Sequence, residues 1–143
     1  MEDSIWHKTY EVDELNELAC EGLARHVGIE FTELGHDYMK ATMPVDDRTR
    51  QPFGLLHGGA SVVLAETMGS VASLCCVDSS EKMCVGIEIN ANHIKAVRDG
   101  KVTGTARALH LGRTTQVWSV EITNESGDLV CISRLTLAVV ERR

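Results

Sequence analysis

The chain has 143 residues, room for one domain with a substantial core and too few for two ordinary ones. With 43% hydrophobic and 24% charged residues, its composition excludes a disordered or fibrous protein. A net charge of −7 without any run of Lys and Arg excludes general nucleic-acid affinity, so any phosphate contact has to be local.

Five cysteines, Cys20, Cys75, Cys76, Cys84 and Cys131, form no CxxC pair. They predict reduced core thiols rather than a disulfide framework, and no metal site. The acidic start MEDSIWHKTYEVDELNE lacks the basic residues and apolar run of a signal peptide, which predicts a cytoplasmic protein.

In chain order, Leu15, Leu18, Ala19 and Leu23 recur at helical spacing after Asp13, a candidate cap, and Gly28 closes the region, so a short amphipathic helix is expected. VGIEFTEL and YMKATMPV then alternate apolar with polar residues around GHD, as in a first strand pair. Residues 46–55 lapse into a loop in which Pro52 and Gly54 resist regular structure. From 58 to 76 the chain is rich in Ala, Val, Leu and Met with no proline, and this length favours one long helix. Its apolar core, 60–77, approaches a membrane span in length, but Glu66 and the adjoining Gly and Ser residues make a poor one, and no membrane partner is expected.

After Asp78 the sequence reads as sheet: MCVGIEINANHIKAV, the turn RDGK, VTGTARALHL, the turn GR, TTQVWSVEIT, the turn NESGD, and LVCISRLTLAVV. The apolar parity slips between Ile89 and Ile94, where a bulge is expected. Four strands joined as an antiparallel meander, with the two earlier ones, predict an α+β fold: a sheet of about six strands wrapped around a single central helix.

That helix opens with His57, Gly58 and Gly59 and carries one carboxylate, Glu66, in its middle. A helix N-terminus exposes unsatisfied N–H groups, and glycines there let another molecule's carbonyl come close, so HGG is a candidate oxyanion hole. A carboxylate in apolar surroundings suits a general base or nucleophile, which makes Glu66 the candidate. Eight residues along the helix separate Gly58 from Glu66, about 12 Å at 1.5 Å per residue, so one chain cannot bring both to one carbonyl. Chemistry at these residues therefore requires a second, antiparallel copy of the helix and two equivalent sites per dimer. Ser70, four residues beyond Glu66, shares its face. The residues by themselves leave open the alternative that Glu66 pairs with an arginine while the small residues serve close packing. His7, His26 and His36 read as structural. His93 and His110 lie near Lys95 and Arg113, which together suggest a small anion site.

QPFGLLHGGASVVLAET, GIEINANH and HLGRTTQVW together resemble the hotdog-fold acyl-CoA thioesterases, in particular the group containing 1,4-dihydroxy-2-naphthoyl-CoA hydrolase and the enterobactin-associated proofreading thioesterase. The resemblance spans 15–140, and HGG with a glutamate seven residues after its second glycine is specific for this branch. It implies a hotdog fold and hydrolysis of aromatic acyl-CoA thioesters to free acid and CoA, the menaquinone pathway included. No metal or cofactor is implied beyond the CoA of the substrate, and the assembly implied is a homotetramer built as a dimer of dimers. In its terms Glu66 is nucleophile or general base. Gly58 offers its N–H to the carbonyl, Gln51 and His57 orient the carbonyl or the departing thiol, and Ser70 completes the pocket. The positions implied for CoA are Gly86, then His93, Ile94, Lys95 and Ala96, then His110, Leu111, Gly112, Arg113, Thr114 and Thr115. A carrier-bound aryl thioester, a non-catalytic acyl-CoA binding protein and a hotdog dehydratase are the alternatives. HGG is the thioesterase pattern, and retention of Glu66, Gln51 and His57 disfavours mere binding.

Overall fold

A computed structural model describes residues 3–143. Helix α1 spans Val12–Ala19, and its start is fixed two residues earlier than expected, at Glu11, whose N–H donates to the Glu14 carboxylate at 3.1 Å. Asp13 is the second residue inside the helix, where its charge complements the helix dipole. The single helix expected here is in fact two. Cys20 (ψ 61°) and Glu21 (φ −128°, ψ 167°) leave the helical region, and the chain restarts as α2, Gly22–His26, on a glycine at φ +55°. Leu15 is buried, whereas Leu18 and Leu23 stay exposed.

Six strands follow the expected segments: β1 Glu30–Leu34, β2 Tyr38–Pro44, β3 Lys82–His93, β4 Lys101–Leu111, β5 Thr115–Thr123 and β6 Leu129–Glu141. They form one antiparallel sheet in the order β1-β2-β4-β5-β6-β3. The expected four-strand meander is thus corrected to three strands, β4-β5-β6, because β3 pairs with β6 at the far edge and β4 sits beside β2. The connection between β3 and β4 has to cross one end of the sheet. Val97 is buried in that crossing, and its carbonyl accepts the N–H of Leu56, which ties the crossing to the loop that enters the central helix.

The bulge also lies elsewhere than expected. Gly86 pairs with Leu137 and Glu88 with Thr136, leaving Ile87 as the extra residue, while 90–93 pair without interruption against 134–131. The parity slip in the sequence arises because Ile94 lies beyond the end of the strand.

Helix α3, Gly58–Cys75, lies against β2 through β6. It has the length and mean hydropathy, 1.2, of a membrane span, yet 56% of it is buried within the fold. Small residues set its approach to the sheet. A Cβ at Gly69 would stand 2.5 Å from Leu135 Cδ2, and one at Gly104 of β4 would stand 2.5 Å from Met68 Sδ. Around that contact Leu64, Met68, Val102, Trp118, Val120, Ile122, Leu135 and Leu137 are closed to solvent. Trp118 donates its indole N–H to buried Gln116 at 2.9 Å and stacks on Trp6, with ring centroids 6.1 Å apart. The Trp6 indole in turn donates to the Gly35 carbonyl at 2.7 Å.

Candidate active site

His57 is the N-cap of α3. Its backbone stays extended, and its Nδ1 accepts the Gly59 N–H at 2.8 Å. A ring nitrogen that accepts carries no proton, so the imidazole proton is on Nε2, which makes the ring a donor on its outer side. The carbonyl of His57 takes the N–H groups of Ala60 and Ser61. Three of the four amides that a helix start leaves over are thereby spent, and only the first, that of Gly58, has no acceptor among the described residues.

Gly58 opens onto a groove of about 330 Å³ lined by Gln51, Ser61, His93, Lys95, Ala96 and Val130 among others. His93 lies across the glycine: its Nε2 is 2.8 Å from the point a Gly58 Cβ would occupy. Gln51 turns its side-chain oxygen inward to accept the amides of Phe53 and Leu55, at 2.5 and 3.4 Å, and so shapes the loop before the helix. Segment 93–96 is held against the base of β6, where Ile94 and Lys95 both donate to the Val130 carbonyl. Buried Ser61, three residues after Gly58 on the same face, lines this groove too. Its helical spacing from Gly58 was the signal for it in the sequence.

Glu66 lies in a different groove, of about 370 Å³, with Ala19, Leu23, Val63, Thr67, Ser70 and Val71. The expected apolar neighbours are there, but a single chain leaves the carboxylate exposed. The ion pairs formed among the described residues use other acids, so no guanidinium neutralises it. Ser70 shares the groove without a hydrogen bond to Glu66; its carbonyl accepts from the Ser73 hydroxyl. The Glu66 Oε2 is 3.0 Å from the position of a Gly86 Cβ, so the carboxylate leans over β3 where that strand carries no side chain.

The set implied for CoA is divided within one chain. His93 pairs with Cys131 of β6, whereas Thr115 pairs with Ala138 and Gly86 with Leu137 of the same strand. Seven residues of β6 separate the first contact from the second, about 23 Å at 3.3 Å per residue. His93 to Ala96 accordingly sit at the Gly58 end of the sheet, and Gly86 with His110 to Thr115 sit at the other. In the hairpin 110–115 the imidazole of His110 lies over Gly112, whose N–H donates to Thr115, and Val139 donates to the Thr114 carbonyl. Lys95 is not free: its ammonium donates to Asp128 at 2.8 Å. That ammonium, with help from Asn124, holds the Asp128 carboxyl below its ordinary range. No group of three or more His, Cys, Asp or Glu among the described residues could hold a metal ion.

The two grooves differ in kind. One offers a lone backbone amide, the His93 imidazole and apolar walls, suited to polarising a carbonyl, and the other offers a carboxylate in an apolar setting, suited to attack or proton removal; His57 caps the helix beside the first groove without lining it. The sequence matches the thioesterase superfamily over residues 53–131. It is 50% identical to the 1,4-dihydroxy-2-naphthoyl-CoA hydrolase of Escherichia coli K12 over 136 residues, covering 95% of this chain and 99% of that one. It is 49% identical to the proofreading thioesterase EntH of Cronobacter turicensis over 137 residues, covering 95% and 98%. Among solved structures, a mutant of the thioesterase PA1618 from Pseudomonas aeruginosa superposes with a TM-score of 0.95 at 50% identity, over 97% of this chain and 100% of that one. The six-stranded sheet around one long helix and these relatives make the chain a hotdog-fold member of the thioesterase superfamily, and by that membership a thioester hydrolase.

Proposed function

We propose that the protein hydrolyses aromatic acyl-CoA thioesters, of the 1,4-dihydroxy-2-naphthoyl or benzoyl type, at sites shared between two copies of the chain. The supporting observation is the distance between the two grooves. Gly58 and Glu66 stand at separate levels of α3, and the strand landmarks they touch, His93 and Gly86, stand at separate levels of β3. A two-fold axis level with Val62 of α3 brings Gly58 of one chain opposite Glu66 of the other. The same axis passes between Ile89 and Asn90 of β3 and brings His93 of one chain opposite Gly86 of the other. One operation satisfies both pairs. It also unites His93 to Ala96 of one chain with His110 to Thr115 of its partner in a single CoA path.

The edge such an axis uses is suited to it. β3 pairs on one side only and exposes Val85 at 44% and Ile87 at 63%, an edge that soluble proteins cover or charge. Two such dimers form the tetramer, in the cytoplasm.

In the mechanism, the thioester carbonyl oxygen accepts the Gly58 N–H, whose alignment costs no reorganisation as negative charge develops on that oxygen. The His57 Nε2–H and the Gln51 amide orient the thioester from the same side. Glu66 of the facing chain either attacks the carbonyl carbon directly or takes a proton from the water that does, and both routes need the ionised carboxylate. Collapse of the tetrahedral intermediate breaks the C–S bond. The sulfur leaves as CoA thiolate and is protonated; on the water route the acid is released at once with the water's oxygen, and on the direct route a water molecule cleaves the mixed anhydride formed with Glu66, which frees the acid and restores the carboxylate. No metal or redox cofactor has a part in this sequence. The same aryl group on a carrier protein's phosphopantetheine arm is the second reading, and the two half-sites would serve it unchanged.

The test is subunit complementation. Glu66→Ala and His57→Ala each inactivate. Random exchange of the two makes half of the dimers mixed, each with one intact site of two, and restores about a quarter of wild-type benzoyl-CoA hydrolysis. Proven exchange without rescue overturns the shared site. Glu66→Gln loses at least about a hundredfold in rate.

A further inference from the structure

The Lys95–Asp128 pair sits at the rim of the groove that holds Gly58 and His93, and Asp128 lies outside every set of residues considered so far. Its carboxylate is positioned rather than free. In the β5–β6 turn, Asp128 N–H donates to Asn124 Oδ1 at 2.9 Å, Asn124 N–H donates back to the Asp128 carbonyl at 3.0 Å, and the Asn124 side-chain amide approaches Asp128 Oδ2 at 3.4 Å. Gly127, at φ +83°, lets the turn close. On the other side, the Lys95 backbone is fixed to Val130, so both partners are anchored to the start of β6 and face each other at 2.8 Å.

An anion that approaches Lys95 meets a competitor already in place, and one of its own sign. It has to displace the carboxylate or sit beside it, so the ammonium adds little net positive potential to the rim. We infer that Asp128 is a specificity-determining acid: it cancels Lys95 toward the nucleotide phosphates of CoA and shifts recognition to the acyl-pantetheine part. That part is common to CoA esters and carrier-bound thioesters, so Asp128 narrows the advantage of the former over the latter. The inference rests on the groove being the thioester site proposed above.

Asp128→Asn removes the charge and keeps an oxygen for the Asn124 amide. Exposed ion pairs of this kind are worth a small factor, and the variant is expected to bind CoA about two- to fivefold more tightly by calorimetry at low salt, with the gain shrinking as salt rises. Binding of pantetheine, which lacks the phosphates, stays unchanged, as does KM for S-benzoyl-N-acetylcysteamine. In a Lys95→Ala background the same substitution gives no Lys-dependent gain. Equal gains for CoA and pantetheine, no gain for either, or an undiminished gain without Lys95 each overturn the role given to Asp128. Failure of the thioesterase reading itself registers separately, as unaltered protein that releases no free thiol from benzoyl-CoA.

Discussion

Gly86→Ala separates two roles for one residue. The resemblance to acyl-CoA thioesterases makes Gly86 a CoA contact, whereas its place beneath Glu66 makes it the seat of the catalytic carboxylate. An alanine Cβ would stand 3.0 Å from Glu66 Oε2, where ordinary contact begins near 3.4 Å, so the carboxylate has to withdraw by about 0.4 Å. Misplacing a reacting group by 1 Å costs on the order of a hundredfold, so this displacement costs roughly five- to tenfold in kcat. The backbone at Gly86 has no positive φ, so alanine fits the strand without strain, and the melting temperature should not fall. The assay is steady-state hydrolysis of benzoyl-CoA, followed by release of free thiol, with CoA as product inhibitor. The seat predicts a lower kcat, an unchanged inhibition constant for CoA, and no further loss when Gly86→Ala is added to Glu66→Gln. Weaker CoA inhibition at unchanged kcat, or losses that multiply in the double variant, would refute it.

Gly58→Ala drives a methyl to 2.8 Å from His93 Nε2, so kcat/KM falls, and adding His93→Ala recovers part of the loss; a double variant no better than the single shows that the ring is not the obstacle. Gln116→Leu leaves the buried Trp118 indole N–H without its acceptor and costs about 1–3 kcal/mol, read as a lower denaturant midpoint. Burial pushes the Cys75 and Cys76 thiols up from 9.0 to about 12. The folded chain therefore keeps protons that the unfolded chain gives up, and stability declines as pH rises from about 9 toward 12. Urea unfolding at pH 7 and pH 10 checks this, and a higher midpoint at pH 10 contradicts it. The Cys75 thiol, protonated and buried, should resist a thiol-specific reagent in the native state at pH 8 and react on unfolding.

The long helix was legible almost to the residue, because nothing between Gly58 and Cys75 breaks helical pattern and the loop before it holds Pro52 and Gly54. The strands were legible too, since alternation such as Gln116, Trp118, Val120 and Ile122 maps one buried face directly. What local pattern could not carry was partnership. The alternation along β3 says which residues share a face and nothing about whether the neighbour is β4 or β6. The bulge at Ile87 is silent because Val85 to Glu88 around it are all exposed, although Cys84, Ile89 and Ala91 of the same strand pack against the core. The break at Cys20 and Glu21 was hidden for another reason: Leu15 and Leu23 keep helical spacing, although only the first is in the core and the second lines the Glu66 groove. At the candidate site, the spacing of Gly58 and Glu66 already forbade a one-chain centre. The opposed positions of 93–96 and 110–115 emerged only once each was paired against β6.

The cap on α3 has a consequence for which oxygens can dock there. Glycine-rich nucleotide loops hold a phosphate because several consecutive amides converge on it. Here the His57 ring has consumed the second amide, and its carbonyl the third and fourth, so the helix tip presents a single prong. A lone carbonyl oxygen is well served by one prong, whereas a diphosphate finds no cradle. Histidine ahead of two glycines thus turns a general anion receptor into a monodentate one and keeps the highly charged tail of a nucleotide ester out of the reaction chamber.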